Sequence, residues 1–169
     1  MNVLVIDGQG GKMGAALTEQ IKKNIPDAEL IAIGTNSLAT SAMLRAGADA
    51  AATGENPVVV NCPWADVIVG PIGIISANAL LGEITPKMAA AVSESRAKKI
   101  LVPVNRCAIT VVGVEEKTLS EYVRDAAAAV AAARRCEVAG GNVPQRSRRR
   151  KIVKPARDAN PSCIFVLSL

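Results

Sequence analysis

Asn2-Val3-Leu4-Val5-Ile6-Asp7-Gly8-Gln9-Gly10-Gly11-Lys12-Met13-Gly14-Ala15-Ala16-Leu17 opens the chain and decides how the rest is read. An unbroken apolar run, Val3 to Ile6, fits a short strand buried on both faces, Asn2–Asp7. Beyond the glycines, Met13, Ala16, Leu17 and Ile21 recur at helical spacing, which predicts a helix Lys12–Asn24 ending before Pro26. Strand, glycine turn and helix in that order bring backbone N–H groups and the positive end of a helix dipole to one place. That is the arrangement that attracts phosphate.

Working outward, strand and helix keep alternating. Strands are predicted at 29–33, 49–53, 66–69, 99–104 and 109–114, and helices at 37–46, 74–81 and from Thr85-Pro86 to about residue 96. Residues 57–62 suit either element: three valines favour a strand, Asn56-Pro57 favours a helix start, and the alternation favours a short helix. Thr118-Leu119-Ser120-Glu121 is a capping box, opening a helix that runs through an alanine stretch to about Arg134. Strands separated by helices imply right-handed crossovers and a three-layer, mostly parallel sheet of Rossmann-like α/β type. The expected strand order is 3-2-1-4-5 with a sixth strand at the edge. The ligand crevice then lies between the first and fourth strands, at their carboxyl ends.

Composition narrows the class further. The chain has 169 residues, half of them apolar, with one Trp, one Tyr and one Phe. So few aromatics do not make a base-stacking RNA platform. Four scattered cysteines, no CxxC and no His argue against a zinc site or a disulfide framework and point to a reducing cytoplasm. No apolar run reaches the roughly 18 residues of a membrane span, and the first residues do not resemble a signal peptide. Charge is unevenly placed. Residues 1–133 hold 11 Lys and Arg against 13 Asp and Glu, whereas 134–169 hold 9 against 2. The domain is therefore expected over 1–135. Residues 136–169 read as a basic, mostly disordered tail that would bind polyanions without specificity.

The candidate binding residues begin with the loop itself: Gly8, Gln9, Gly10, Gly11, Lys12, Met13 and Gly14. Gly8 and Gly10 permit a tight turn and close approach of backbone to ligand, Gly11 opens the helix, and Gly14 lets the helix pack on the first strand. Asp7 stands immediately before them. It either caps N–H groups in the loop or needs Lys12 or a metal to screen it from a pyrophosphate. The second strand ends at Gly34-Thr35-Asn36, without the acid that holds the ribose of NAD. Neutral Thr35 and Asn36 tilt the reading from NAD toward NADP, although no Arg follows to grip a 2′-phosphate. Gly70, Pro71 and Gly73 after the fourth strand suggest a second glycine loop for the cofactor's far half. Asn105, Arg106 and Cys107 after the fifth are the most reactive-looking set, since Arg would clamp an anion and lower the thiol pKa. A plain buried cysteine is the other reading of Cys107. Trp64 reads as a packing residue.

The G-x-G-G-x-M-G loop resembles that of dihydrodipicolinate reductases, with Lys12 in place of an Arg, and the resemblance implies a nicotinamide dinucleotide. It covers about the first 20 residues. Ile6-Asp7-Gly8-Gln9-Gly10-Gly11, Gly34-Thr35-Asn36, Ala52-Thr53-Gly54-Glu55-Asn56, Val69-Gly70-Pro71-Ile72-Gly73, Gly82-Glu83-Ile84-Thr85-Pro86-Lys87 and Pro103-Val104-Asn105-Arg106-Cys107 together resemble a bacterial family of short single-domain proteins known only as a domain of unknown function. That resemblance implies a Rossmann-like fold and no particular activity. Three readings follow: a nucleotide-binding module for NAD(P) or a mononucleotide, serving as sensor or partner subunit; a small homodimeric NAD(P)-dependent oxidoreductase; or a scaffold for a nucleic-acid-binding tail.

Overall fold

Along the first strand, side chains alternate between two cores. Val3 and Val5 belong to one, Leu4 and Ile6 to the other, and all four are fully buried. The computed structural model describes residues 1–103 and 109–139, the last five as helix backbone. Five strands, β1 (Asn2–Asp7), β2 (Glu29–Gly34), β3 (Ala50–Thr53), β4 (Val67–Pro71) and β5 (Lys98–Val102), form one parallel sheet in the order β3-β2-β1-β4-β5. Helices α1 (Lys12–Asn24), α2 (Ser37–Arg45) and α5 (Leu119–Ala139) contribute to the Val3/Val5 core through Leu17, Ile21, Met43, Val123 and Val130. Helices α3 (Glu55–Asn61) and α4 (Pro86–Glu94) cover the other face through Val58, Met88 and Val92. Trp64 packs at the margin of that second core. Among the described residues, no helix is long and apolar enough to cross a membrane.

Local signals act where the sequence put them. Thr85 caps α4, its hydroxyl accepting from the Met88 N–H at 3.1 Å, with Pro86 at the first helical position. The capping box closes at α5: Glu121 accepts from the Thr118 N–H at 2.8 Å, and the Thr118 hydroxyl accepts from the Glu121 N–H at 3.4 Å.

Three expectations need correction. Residues 109–114 form no strand. Val112 is 95% exposed, and Gly113 turns the chain with φ 83°. A further parallel strand beside β5 would need a crossover of about a dozen residues, and only residues 103–108 lie between. Residues 74–81 are not a helix either. A single 3-10 turn, Ile72–Ile75, gives way to a turn in which Asn78, Leu80 and Leu81 all have positive φ. The apolar spacing there reflects Ile74, Leu80 and Ile84 folding inward, all of them buried. Finally, α5 continues to Ala139, beyond the expected end at Arg134. Arg134 makes a bidentate pair with Asp27 at 2.6–2.7 Å. Residues 140–169, which carry most of the basic tail, lie outside the described residues.

Candidate functional site

The glycine turn is built by backbone geometry that only some of its residues need glycine for. Gly11 has φ 65°, and its N–H donates to the Gly8 carbonyl at 2.9 Å. A Cβ on Gly11 would stand 3.0 Å from the Ala39 carbonyl oxygen and closer still to the Ala39 Cα, so this glycine seats α1 against α2. At Gly14 a Cβ would press on the Met43 side chain and come within 2.7 Å of the Asp7 Cβ. That is the helix–strand packing role expected of it. At Gly8 a Cβ would meet Glu83 Oε2 at 2.6 Å and Thr35 Oγ1 at 2.7 Å. Gly10 differs from all three. It is exposed, its φ is not positive, and nothing lies within 4 Å of where its Cβ would be.

Asp7 is a cap on this loop. Its carboxylate accepts from the Gly8 N–H at 2.8 Å and from the Gly14 N–H at 2.6 Å, one bond on each oxygen. Burial pushes its carboxyl above the ordinary aspartate value, and the charge of Glu83 pushes the same way, while the N–H groups of Gly14 and Gly8 pull it down. Each oxygen thus already accepts one backbone N–H, the arrangement expected of a capping carboxylate.

A second carboxylate reaches the loop from across the sheet. Glu83, at the end of the irregular turn before α4, accepts from the Gln9 N–H at 2.8 Å, from the Thr35 hydroxyl, and from the Asn36 side-chain amide at 3.2 Å. Partial burial opposes its ionisation, but those three donors outweigh burial and hold Glu83 below the ordinary glutamate value. Among the described residues, the non-glycine residues with positive φ are Gln9, Asn78, Leu80 and Leu81. All of them lie in the glycine loop or in the turn that folds over it. Left-handed backbone costs Gln9, Leu80 and Leu81 roughly 1–2 kcal/mol each and Asn78 less, so the backbone strain seen among the described residues is gathered at one place.

Beside the loop is a cavity of about 350 Å3, lined by residues 7–13 with Pro71, Leu80 and Leu119. Its size is that of a small-molecule site. Lys12 is exposed at its edge and makes no ion pair among the described residues. The N–H groups of Gly10 and Lys12 likewise meet no acceptor among those residues, whereas those of Gly8, Gln9, Gly11 and Gly14 are all taken.

The remaining expected site residues fall elsewhere. Gly70 lies within β4, where its Cα approaches the Ile6 carbonyl too closely for a Cβ. Gly73 is buried in the 3-10 turn. Of the anticipated second glycine loop, only Pro71 reaches the cavity. Thr35 and Asn36 donate to Glu83, and Asn36 also donates to the Gln9 carbonyl at 3.0 Å and caps α2 through the Ala39 N–H at 2.9 Å. The neutral end of β2 that tilted the reading toward NADP therefore has a carboxylate standing on it. Asn105, Arg106 and Cys107 lie outside the described residues. Cys62 is buried, which pushes its thiol up to about 11. Sequence reasoning missed Glu83, Leu80 and Leu119. Glu83 was in view only as one position of the Gly82–Lys87 segment.

A parallel sheet ordered 3-2-1-4-5, with a glycine turn closing its central strand and a cavity over the strand ends, defines a Rossmann-like α/β domain. The chain belongs to the family described as Domain of unknown function (DUF3842), which matches residues 2–135. No curated protein matches it. Among solved structures, a dodecameric FMN-dependent Ubix-like decarboxylase from Escherichia coli O157:H7 is similar at 16% identity, over 78% of this chain and 76% of that one, with a TM-score of 0.42. These comparisons do not show the expected resemblance of the glycine loop to dihydrodipicolinate reductases.

Proposed function

We propose that this domain binds a phosphate-bearing nucleotide, NAD(P) or a relative, at the glycine loop, and acts as a sensor or partner subunit. The observation that carries the reading is Gly10. It is exposed on a cavity wall, and neither backbone conformation nor packing requires glycine there. Close approach of a ligand to the backbone is the remaining physical reason for a missing Cβ. The N–H groups of Gly10 and Lys12, with the exposed Lys12 ammonium, supply the contacts a phosphate needs.

Binding is favoured over catalysis by the cavity's lining. Its titratable groups among the described residues are Asp7, whose two oxygens each accept a loop N–H, and Lys12, which has no acid or base partner there. Glu83 stands beside the loop outside the lining, with Oε2 anchored by three donors. Nucleophilic or general acid–base work of the usual kind needs two titratable groups within hydrogen-bond reach of each other, which the lining does not offer among the described residues.

Thermal melting in the presence of NADH, NADPH and AMP tests the reading. A ligand that binds only the folded state must raise the midpoint, by about 2.7 kcal/mol of added stability at a hundred times its Kd. Gly10→Val should abolish that rise while the unliganded protein melts within about 2 °C of wild type, because the added side chain meets open space. No shift with any of the three up to millimolar concentrations would reduce the loop to a structural turn.

A further inference from the structure

The geometry points to Glu83 as the ribose-reading residue of the proposed site: its second oxygen accepts the vicinal hydroxyls of an unphosphorylated adenosine ribose and turns away a 2′-phosphate. The inference rests on the nucleotide reading above and adds to it which nucleotides are taken.

In NAD-binding sheets of this order, an acid near the end of the second strand holds the ribose 2′-hydroxyl. This chain has Thr35 and Asn36 there. The structure brings an acid to the same place from a different element. Thr35, Asn36 and Gln9 all donate to one oxygen of Glu83, Oε2. Among the described residues no donor meets Oε1. A carboxylate can accept about four hydrogen bonds, so Glu83 is held firmly through one oxygen and retains capacity on the other. Its anchored oxygen lies 2.6 Å from where a Cβ on Gly8 would stand, and Gly8 lines the cavity. The left-handed residues Asn78, Leu80 and Leu81 set Glu83 in this position, and Leu80 also lines the cavity. Strain kept at such a turn is characteristic of a functional constraint.

The chemistry sets the selectivity. The bonds from Thr35, Gln9 and Asn36 keep Glu83 ionised, so a 2′-phosphate would bring a dianion against a fixed carboxylate. Such like-charge contacts are strongly unfavourable. A ribose with both hydroxyls free donates to it instead, and a 2′-deoxyribose loses one of those donors.

Equilibrium binding separates the possibilities. Wild-type protein should bind NADH at least about tenfold more tightly than NADPH, and AMP more tightly than either adenosine 2′,5′-bisphosphate or 2′-deoxy-AMP. Glu83→Gln keeps an acceptor for Gln9, Thr35 and Asn36 but removes the charge. It should bring NADH and NADPH within about twofold of each other, chiefly by tightening NADPH. The comparisons on wild type require no variant, so they hold even if Glu83→Gln folds poorly. Equal or NADPH-favouring affinities in wild type, or a preference that survives in Glu83→Gln, overturn the inference and leave the nucleotide reading standing. Binding of none of these ligands by wild type overturns both.

Discussion

Asp7→Ala is expected to lower the domain's stability by about 2–6 kcal/mol, against the roughly 5–15 kcal/mol that a domain of this size commands. The change leaves the Gly8 and Gly14 N–H groups buried without acceptors, at about 1–3 kcal/mol each. Asp7→Asn should fall between. Its amide offers one acceptor and one donor where two N–H groups both need acceptors. Urea denaturation measures both, and the pH dependence of the difference between wild type and Asp7→Asn isolates the titration of Asp7. Burial raises its folded-state pKa, with Glu83 adding, so the native state binds that proton more tightly than the unfolded chain does. The contribution of Asp7 is therefore complete below the unfolded value and is lost as pH rises through the folded one. Wild type should lose stability relative to Asp7→Asn on going from about pH 3 to neutrality. Asp49 and Glu83, held below their ordinary values although burial opposes it, carry the opposite sign and are present in both proteins. A difference that widened with pH would mean that Asp7 is stabilised as an ion.

Gly14→Val is the second large effect, about 3 kcal/mol or on the order of 10 °C in Tm. The Met43 side chain can move aside from a new Cβ, but the Asp7 Cβ belongs to a strand paired on both sides, and it lies 2.7 Å away. Relief would require α1 to lift off the sheet, uncovering Leu17 and Ile21. Set beside Gly10→Val in the same loop, the variant separates the two uses of glycine. Position 14 should cost stability whatever the ligand, whereas position 10 should cost ligand with little stability. A Gly14→Val protein melting like wild type would show that the seat of α1 on β1 is looser than these distances imply.

The architecture was legible because it rests on local signals that agree with one another. The Val3–Ile6 run, helical spacing after Lys12, Thr85-Pro86 and the Thr118–Glu121 box each act within a few residues, and each is where the sequence placed it. The two errors in element type arose where a local pattern had no tertiary partner. Residues 109–114 have β propensity but too short a connection to join a parallel sheet. Residues 74–81 have apolar spacing that tertiary packing uses for a turn.

Sequence by itself determined the five strands and their order, the glycine turn at the centre of their carboxyl edge and the division of charge along the chain, but added a sixth strand that residues 109–114 do not form. These follow from periodicity, capping and counting, which involve only neighbours in sequence. Tertiary structure alone decided what each polar group of the loop faces. Glu83 meets Gln9 across 74 residues and Thr35 across 48. No spacing rule predicts such a contact, because it depends on how the turn before α4 folds back over β1 and β2. That contact gives the second strand's end the acid its own residues lack. Likewise, four glycines that look alike in the sequence separate into three that packing or hydrogen bonding require and one, Gly10, that faces open space.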